Sequence, residues 1–191
     1  MKSTHIKLYL IGLVLGMIPL CGFSSSPNTN AIISNPPSFL ATCVNSWMQR
    51  MDKDQDKTDY RNFGEKYCDC AAQQPLDNAE NINKAMQLCM SQTLLEDTMD
   101  SLENEVGFDK VSEEDLDEYC ADRFALVFPK MNENSKQIST AYCNCAKPRL
   151  MRLIKVADNM TDGQYSNEIN QVAAACSSGL DNETAAASAT R

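Results

Sequence analysis

Apolar residues recur every three to four positions along much of the chain. Leu40, Cys43/Val44, Trp47/Met48 and Met51 make one such series, and Tyr60, Phe63, Tyr67 and Cys70/Ala71 a second. Ile82, Ala85/Met86 and Cys89/Met90 make a third. This spacing marks helices that bury one face. Helix-start signals fall between the series: Ser38 after a proline pair, Asp77 with Glu80, Ser112 with Asp115, and Thr161 with Gln164. Gly107 and Gly179 stand where helices can stop. No stretch sustains a period-two alternation. The pattern predicts an all-α fold of about six helices.

The cysteines divide those helices into two equivalent groups. Cys43, Cys68, Cys70 and Cys89 are followed by Cys120, Cys143, Cys145 and Cys176. The gaps are 25, 2 and 19 in the first set and 23, 2 and 31 in the second. Each inner pair sits in Tyr-Cys-x-Cys-Ala, and each lead cysteine has an aromatic residue four places later, Trp47 or Phe124. We read a tandem duplication of a three-helix unit, residues 38–106 and 107–180. On a helix, Cys68 and Cys70 point about 200° apart, so they are poorly placed to bond each other. One must reach back to Cys43 and the other forward to Cys89. Cys143 and Cys145 stand likewise between Cys120 and Cys176. Which member of each pair goes which way stays open at this stage.

The first 24 residues explain why those sulfurs should be oxidised. Lys2 and Lys7, an apolar run over residues 8–20 and Gly22-Phe23-Ser24 form a secretory signal with a cleavage site. A retained anchor would need about 20 apolar residues. Lipidation at Cys21 would want Gly or Ala where Leu20 stands. Cleavage leaves eight cysteines, an even number in an exported chain, and removes His5, the one histidine of the sequence. A tetrathiolate metal site would show tight Cys-x2-4-Cys knuckles in loops, so disulfides are the better account and no metal is expected. Residues 25–37, rich in Ser, Asn and Pro, read as a flexible lead, and 181–191 as a disordered tail.

Charge and composition then narrow the chemistry. The chain has 26 acidic and 17 basic residues, net −9. Without Lys2 and Lys7, 26 acids face 15 bases, a net charge of −11. Such a chain repels phosphate backbones, so no nucleic acid is expected. Absence of histidine from the mature chain removes Ser-His-Asp and Cys-His catalysis and His-based zinc hydrolysis. Seven glycines, three of them in the signal, leave no phosphate-binding loop. No catalytic residue and no cofactor are expected. A small carboxylate-dependent hydrolase is the enzymatic alternative.

Three segments are candidates for binding. Lys147, Arg149, Arg152 and Lys155 are four bases in nine residues, interleaved with Leu150, Met151, Leu153, Ile154 and Val156. A basic amphipathic segment of this kind can hold anionic lipid head groups or another acidic surface; it can also serve as a solvated face or pair with the protein's own acids. Residues 96–118 hold eleven acids and one lysine, Lys110, and read as a solvated connector between the repeats, with a surface for a basic partner as the alternative. Asp52, Asp54 and Asp56 imitate the opening of a calcium loop, but Lys57 and Phe63 stand where an EF-hand needs Gly and Glu. A polar inter-helix turn is expected there. Tyr67, Tyr142 and Trp47 are expected in the core.

The export signal with the repeated Tyr-Cys-x-Cys frame, over residues 38–180, resembles small cysteine-rich helical proteins exported by Gram-negative bacteria. Some of these are released by type II secretion from intracellular pathogens as effectors. The resemblance implies oxidation in the periplasm followed by release. It carries no catalytic residues. The expected function is a secreted, non-enzymatic virulence or effector module that binds host membrane or host protein surfaces. A periplasmic structural or inhibitor protein is the alternative that stays in the cell. No membrane-spanning segment is expected once the signal is gone.

Overall fold

The computed structural model describes residues 38–128 and 130–180. The signal (1–24), the lead (25–37), Pro129 and the tail (181–191) lie outside the described residues. The described chain forms α1 (Phe39–Met48), α2 (Lys57–Ala72), α3 (Ala79–Glu105), α4 (Glu113–Val127), α5 (Glu133–Ile154) and α6 (Asp162–Cys176). Short 3-10 turns cover Ala157–Asn159 and Ser177–Leu180. No strand occurs among the described residues. The all-α reading with six helices is correct.

Local chemistry sets the helix starts. The Ser38 side chain accepts from Ala41 N, and Asp56 caps α2 by accepting from Thr58 N and Asp59 N. Ser112/Asp115 and Thr161/Gln164 are reciprocal capping boxes. α3 starts one residue later than expected: Asn78, not Asp77, accepts from Asn81 N. Asp77 instead accepts from the Asn81 side-chain amide at 2.6 Å. Gly107, at φ 85°, ends α3, and its N–H returns to Leu102 O at 2.9 Å. Gly179 lies inside the second 3-10 turn, so the helix before it has already ended at Cys176.

The bridges resolve the choice that helix geometry left open. Cys43 pairs with Cys68 and Cys70 with Cys89; Cys120 pairs with Cys143 and Cys145 with Cys176. In both repeats the first residue of Cys-x-Cys reaches back and the second forward. α2 is thereby tied to α1 and α3, and α5 to α4 and α6. Each closed loop, 19 to 31 residues long, is worth about 3 kcal/mol in isolation.

α3 joins the repeats. It packs on α2 within its own repeat and on α4 and α6 of the next. Leu94, Leu95, Met99 and Leu102 are buried along it, and one continuous core runs through both halves. The acidic run is therefore no simple connector. Residues 96–105 are the C-terminal third of α3 and 113–118 the first turns of α4, because Thr98, Met99, Leu102 and Leu116 on the same segments are buried. Several of its acids act as ties. Asp97 bonds Lys66 of α2 at 3.3 Å and Arg123 of α4 at 3.2 Å, and Asp100 takes Lys66 at 2.9 Å. Tyr142 of α5 closes the seam: its hydroxyl donates to Ser91 O at 2.9 Å, while Ser91 Oγ donates to Ala173 O at 3.0 Å. Burial pushes the Tyr142 hydroxyl's pKa up, which keeps it a donor.

The two cores are related but filled differently. Trp47 stacks on Tyr60 and Phe63 at 5.0 and 5.4 Å between ring centres, and its indole N–H donates to Tyr60 O at 2.8 Å. A side chain at Gly64 would overlap the indole, so the tryptophan requires a glycine there. Counted from the cysteines, Phe124 and Ser139 occupy the corresponding positions: a smaller ring leaves room for a Cβ. Leu40 and Ile82, expected on apolar faces, are 39% exposed.

Gly64→Ala should destabilise the protein by about 1–3 kcal/mol through overpacking, measured by chemical denaturation of the oxidised protein. Gly163→Ala, the same change in a helix with nothing within 4 Å, should instead stabilise it, by up to about 1 kcal/mol. Equal effects at the two sites would contradict the packing. Acid should also expose the caps. Bonds from the Ser112 hydroxyl and amide hold the Asp115 carboxyl below its usual 3.8. A lowered folded-state pKa contributes stability above the ordinary value and loses it as pH falls through the folded one. The Tm gap between wild type and Asp115→Asn should thus be widest near about pH 6 and close toward about pH 2–3.

Candidate functional site

The basic segment lies in the second half of α5 and just past it. Successive residues turn by about 100°, so with Lys147 at 0°, Arg149 falls near 200°, Arg152 near 140° and Lys155 near 80°. The four cannot form one narrow face, and α5 is flanked on two sides, by α4 and α6.

Lys147 turns to α4. Its ammonium bonds Asp117 at 2.7 Å, and that hydrogen bond raises the lysine's pKa above its ordinary value. Asp117 belongs to the acidic run, so this base is spent on the protein's own charge. Arg149 turns to α6. Pro148 stands inside the helix and has no N–H to give the carbonyl of Asn144. One position on, Arg149 Nη1 donates to Cys145 O at 2.7 Å and lies 3.5 Å from Cys145 Sγ. The guanidinium is thus anchored at one nitrogen beside the Cys145–Cys176 bridge. Arg152 and Lys155 are exposed, with no hydrogen bond or ion pair to described residues. Val156, next to Lys155, is 43% exposed, an uncovered apolar side chain beside a cation.

A groove opens between α5 and α6. Arg149, Arg152, Leu153 and Val156 line it from one side, and Glu168, Gln171, Val172 and Ala175 from the other. Its two guanidiniums exceed its one carboxylate. Arg149 and Arg152 therefore meet at a shared cleft, Lys155 stands beside it in sequence, and Lys147 faces away. Glu168, Gln171 and Val172 were not singled out in the sequence, because a polar-apolar stretch of α6 looks like any amphipathic helix until α5 lies against it.

A second basic cavity, about 640 Å³, lies between the α1–α2 and α4–α5 loops. Arg50, Lys53 and Lys130 line it with Tyr60 and Phe128. Arg50 sits 4.6 Å from the Trp47 ring centre, and Lys130 bonds Asp52 at 3.5 Å. The sequence carried a signal for it: Lys53 and Lys130 both stand ten residues after their lead cysteine. The aspartate triplet opposite is a polar turn, as expected, with Asp56 used as a cap. No group of His, Cys, Asp or Glu suited to hold a metal ion occurs among the described residues.

Among the described residues, the carboxyl groups with displaced titration are displaced downward. Asp77 is lowered by the Asn81 amide, Glu80 by the Lys84 hydrogen bond, and Asp115 by Ser112. A general acid needs the opposite displacement. Four disulfides fit an extracellular or periplasmic protein, and no described helix is long and apolar enough to cross a membrane. No protein family matches this chain, and no curated protein or solved structure is similar to it.

Proposed function

We propose that this protein is an exported, non-enzymatic binding module that docks on anionic membrane surfaces of a host through the end of α5. The observation that carries the reading is the pair Arg152 and Lys155, exposed and without an ion pair to any described acid, with a 43% exposed Val156 next to Lys155. Among the described residues seven of fourteen cations are ion-paired, and these two are not. Cations contribute about 1 kcal/mol each near an anionic leaflet, and an apolar side chain beside them can enter the head-group layer. The acidic body opposes approach at long range, but charges farther than a Debye length, about 8 Å at physiological salt, are largely screened. Contact is therefore local and weak for one copy. The disulfide ties keep α5 in place on that surface without any cofactor. Release from the producing cell, as the resemblance to type II-secreted effectors implies, would bring the module to such membranes.

Oxidised protein should sediment with vesicles containing phosphatidylserine and not with phosphatidylcholine alone, at about 0.1 M salt. Arg152→Glu with Lys155→Glu should weaken that partitioning at least about 30-fold while circular dichroism stays unchanged. Equal binding by the double variant, or no binding by wild type, dismisses the reading. Fractionation of the producing culture should find the protein in the supernatant. Retention in the periplasm alone would favour a structural or inhibitory role there.

A further inference from the structure

The α5–α6 groove has depth that contact with a flat head-group layer does not use. Its volume is about 480 Å³, within the roughly 300–1,000 Å³ typical of small-molecule sites. Leu153, Val156, Met160 and Val172 supply apolar carbon to its walls, and Arg149 and Arg152 supply the cations. Glu168 leaves an excess of one positive charge. Arg149 is the better placed to hold an anion. Its contact with Cys145 O fixes one nitrogen, leaving the others without a described partner and little rotamer freedom to lose on binding.

We infer that the groove binds a single-chain anionic amphiphile, with the acyl chain along the apolar walls and the carboxylate or phosphate head on Arg149 and Arg152. An extended peptide would need donors and acceptors spaced along the walls for its backbone, and beyond Arg149, Arg152 and Glu168 the one polar side chain there is Gln171. An alkyl chain needs none. The inference deepens the membrane-docking reading and rests on it for the class of ligand. It adds that the protein takes one lipid molecule out of the layer, or carries it in solution.

Calorimetric titration of the disulfide-intact protein with octanoate, decanoate and dodecanoate, each below its micellar concentration, tests it. A buried methylene is worth about fourfold in affinity, so each two-carbon step should tighten binding about 15-fold until the groove is full. Dodecyl phosphate should bind comparably to dodecanoate. A series flat in chain length, or dodecyltrimethylammonium binding as tightly, overturns the proposal. Ala175→Phe places a ring in the groove from an exposed helical position. It should weaken dodecanoate at least about tenfold while circular dichroism and vesicle sedimentation persist, and undiminished dodecanoate binding overturns the site. Arg149→Gln should erase the preference for an anionic head over dodecanol; a preserved preference overturns the assigned head-group contact. Lys155→Glu lies outside the groove, so it should weaken vesicle binding and leave dodecanoate within about twofold. Vesicle binding without dodecanoate binding sinks the groove alone, and the reverse sinks membrane docking alone.

Discussion

Two cysteines separated by one residue on a helix leave it on opposite sides, and most of the architecture depends on that constraint. In α2 and again in α5 the first sulfur reaches the preceding helix and the second the following one. A middle helix clamped on both flanks holds its neighbours at fixed positions around it. The chain has one tryptophan, and few of its residues are aromatic. Four covalent ties, acting chiefly by restricting the unfolded chain, supply order that a core of this composition supplies only in part.

On that repeated frame the two halves fill corresponding positions differently. Trp47 requires Gly64, whereas Phe124 stands with Ser139, so the ring on one helix goes with the size of the residue on the helix across from it. The seam between the repeats is made by α3, long enough to serve both cores, and by polar contacts that have no counterpart within a repeat. Asp97 with Arg123, and Tyr142 on Ser91, are of this kind. The acidic run that looks like a solvated connector is thereby half interior scaffold. Its spacing hid this because buried Thr98, Met99 and Leu102 are interleaved with the charges on the same helix.

The basic segment was visible as a charge exception, four bases within an acidic chain, but its division was not. Proximity in sequence put Lys147, Arg149, Arg152 and Lys155 together. Helix rotation between two neighbours then sent Lys147 to Asp117, Arg149 to the Cys145 carbonyl, and left the last two in solvent. The cleft between α5 and α6 has two guanidiniums on one wall, Glu168 and Gln171 on the other, and apolar side chains among them.

The sequence alone determined what is local or periodic. It carried the helical class, the two capping boxes, the duplicated cysteine frame and the prediction that sulfur ties must leave α2 and α5 in opposite directions. These follow from residue spacing and from side chains reaching their own backbone. Only tertiary structure decided which sulfur goes which way, that α3 runs on to join both cores, and which bases stay uncommitted. Those outcomes depend on how neighbouring helices are rotated and how close they lie, and residues far apart in the chain set both.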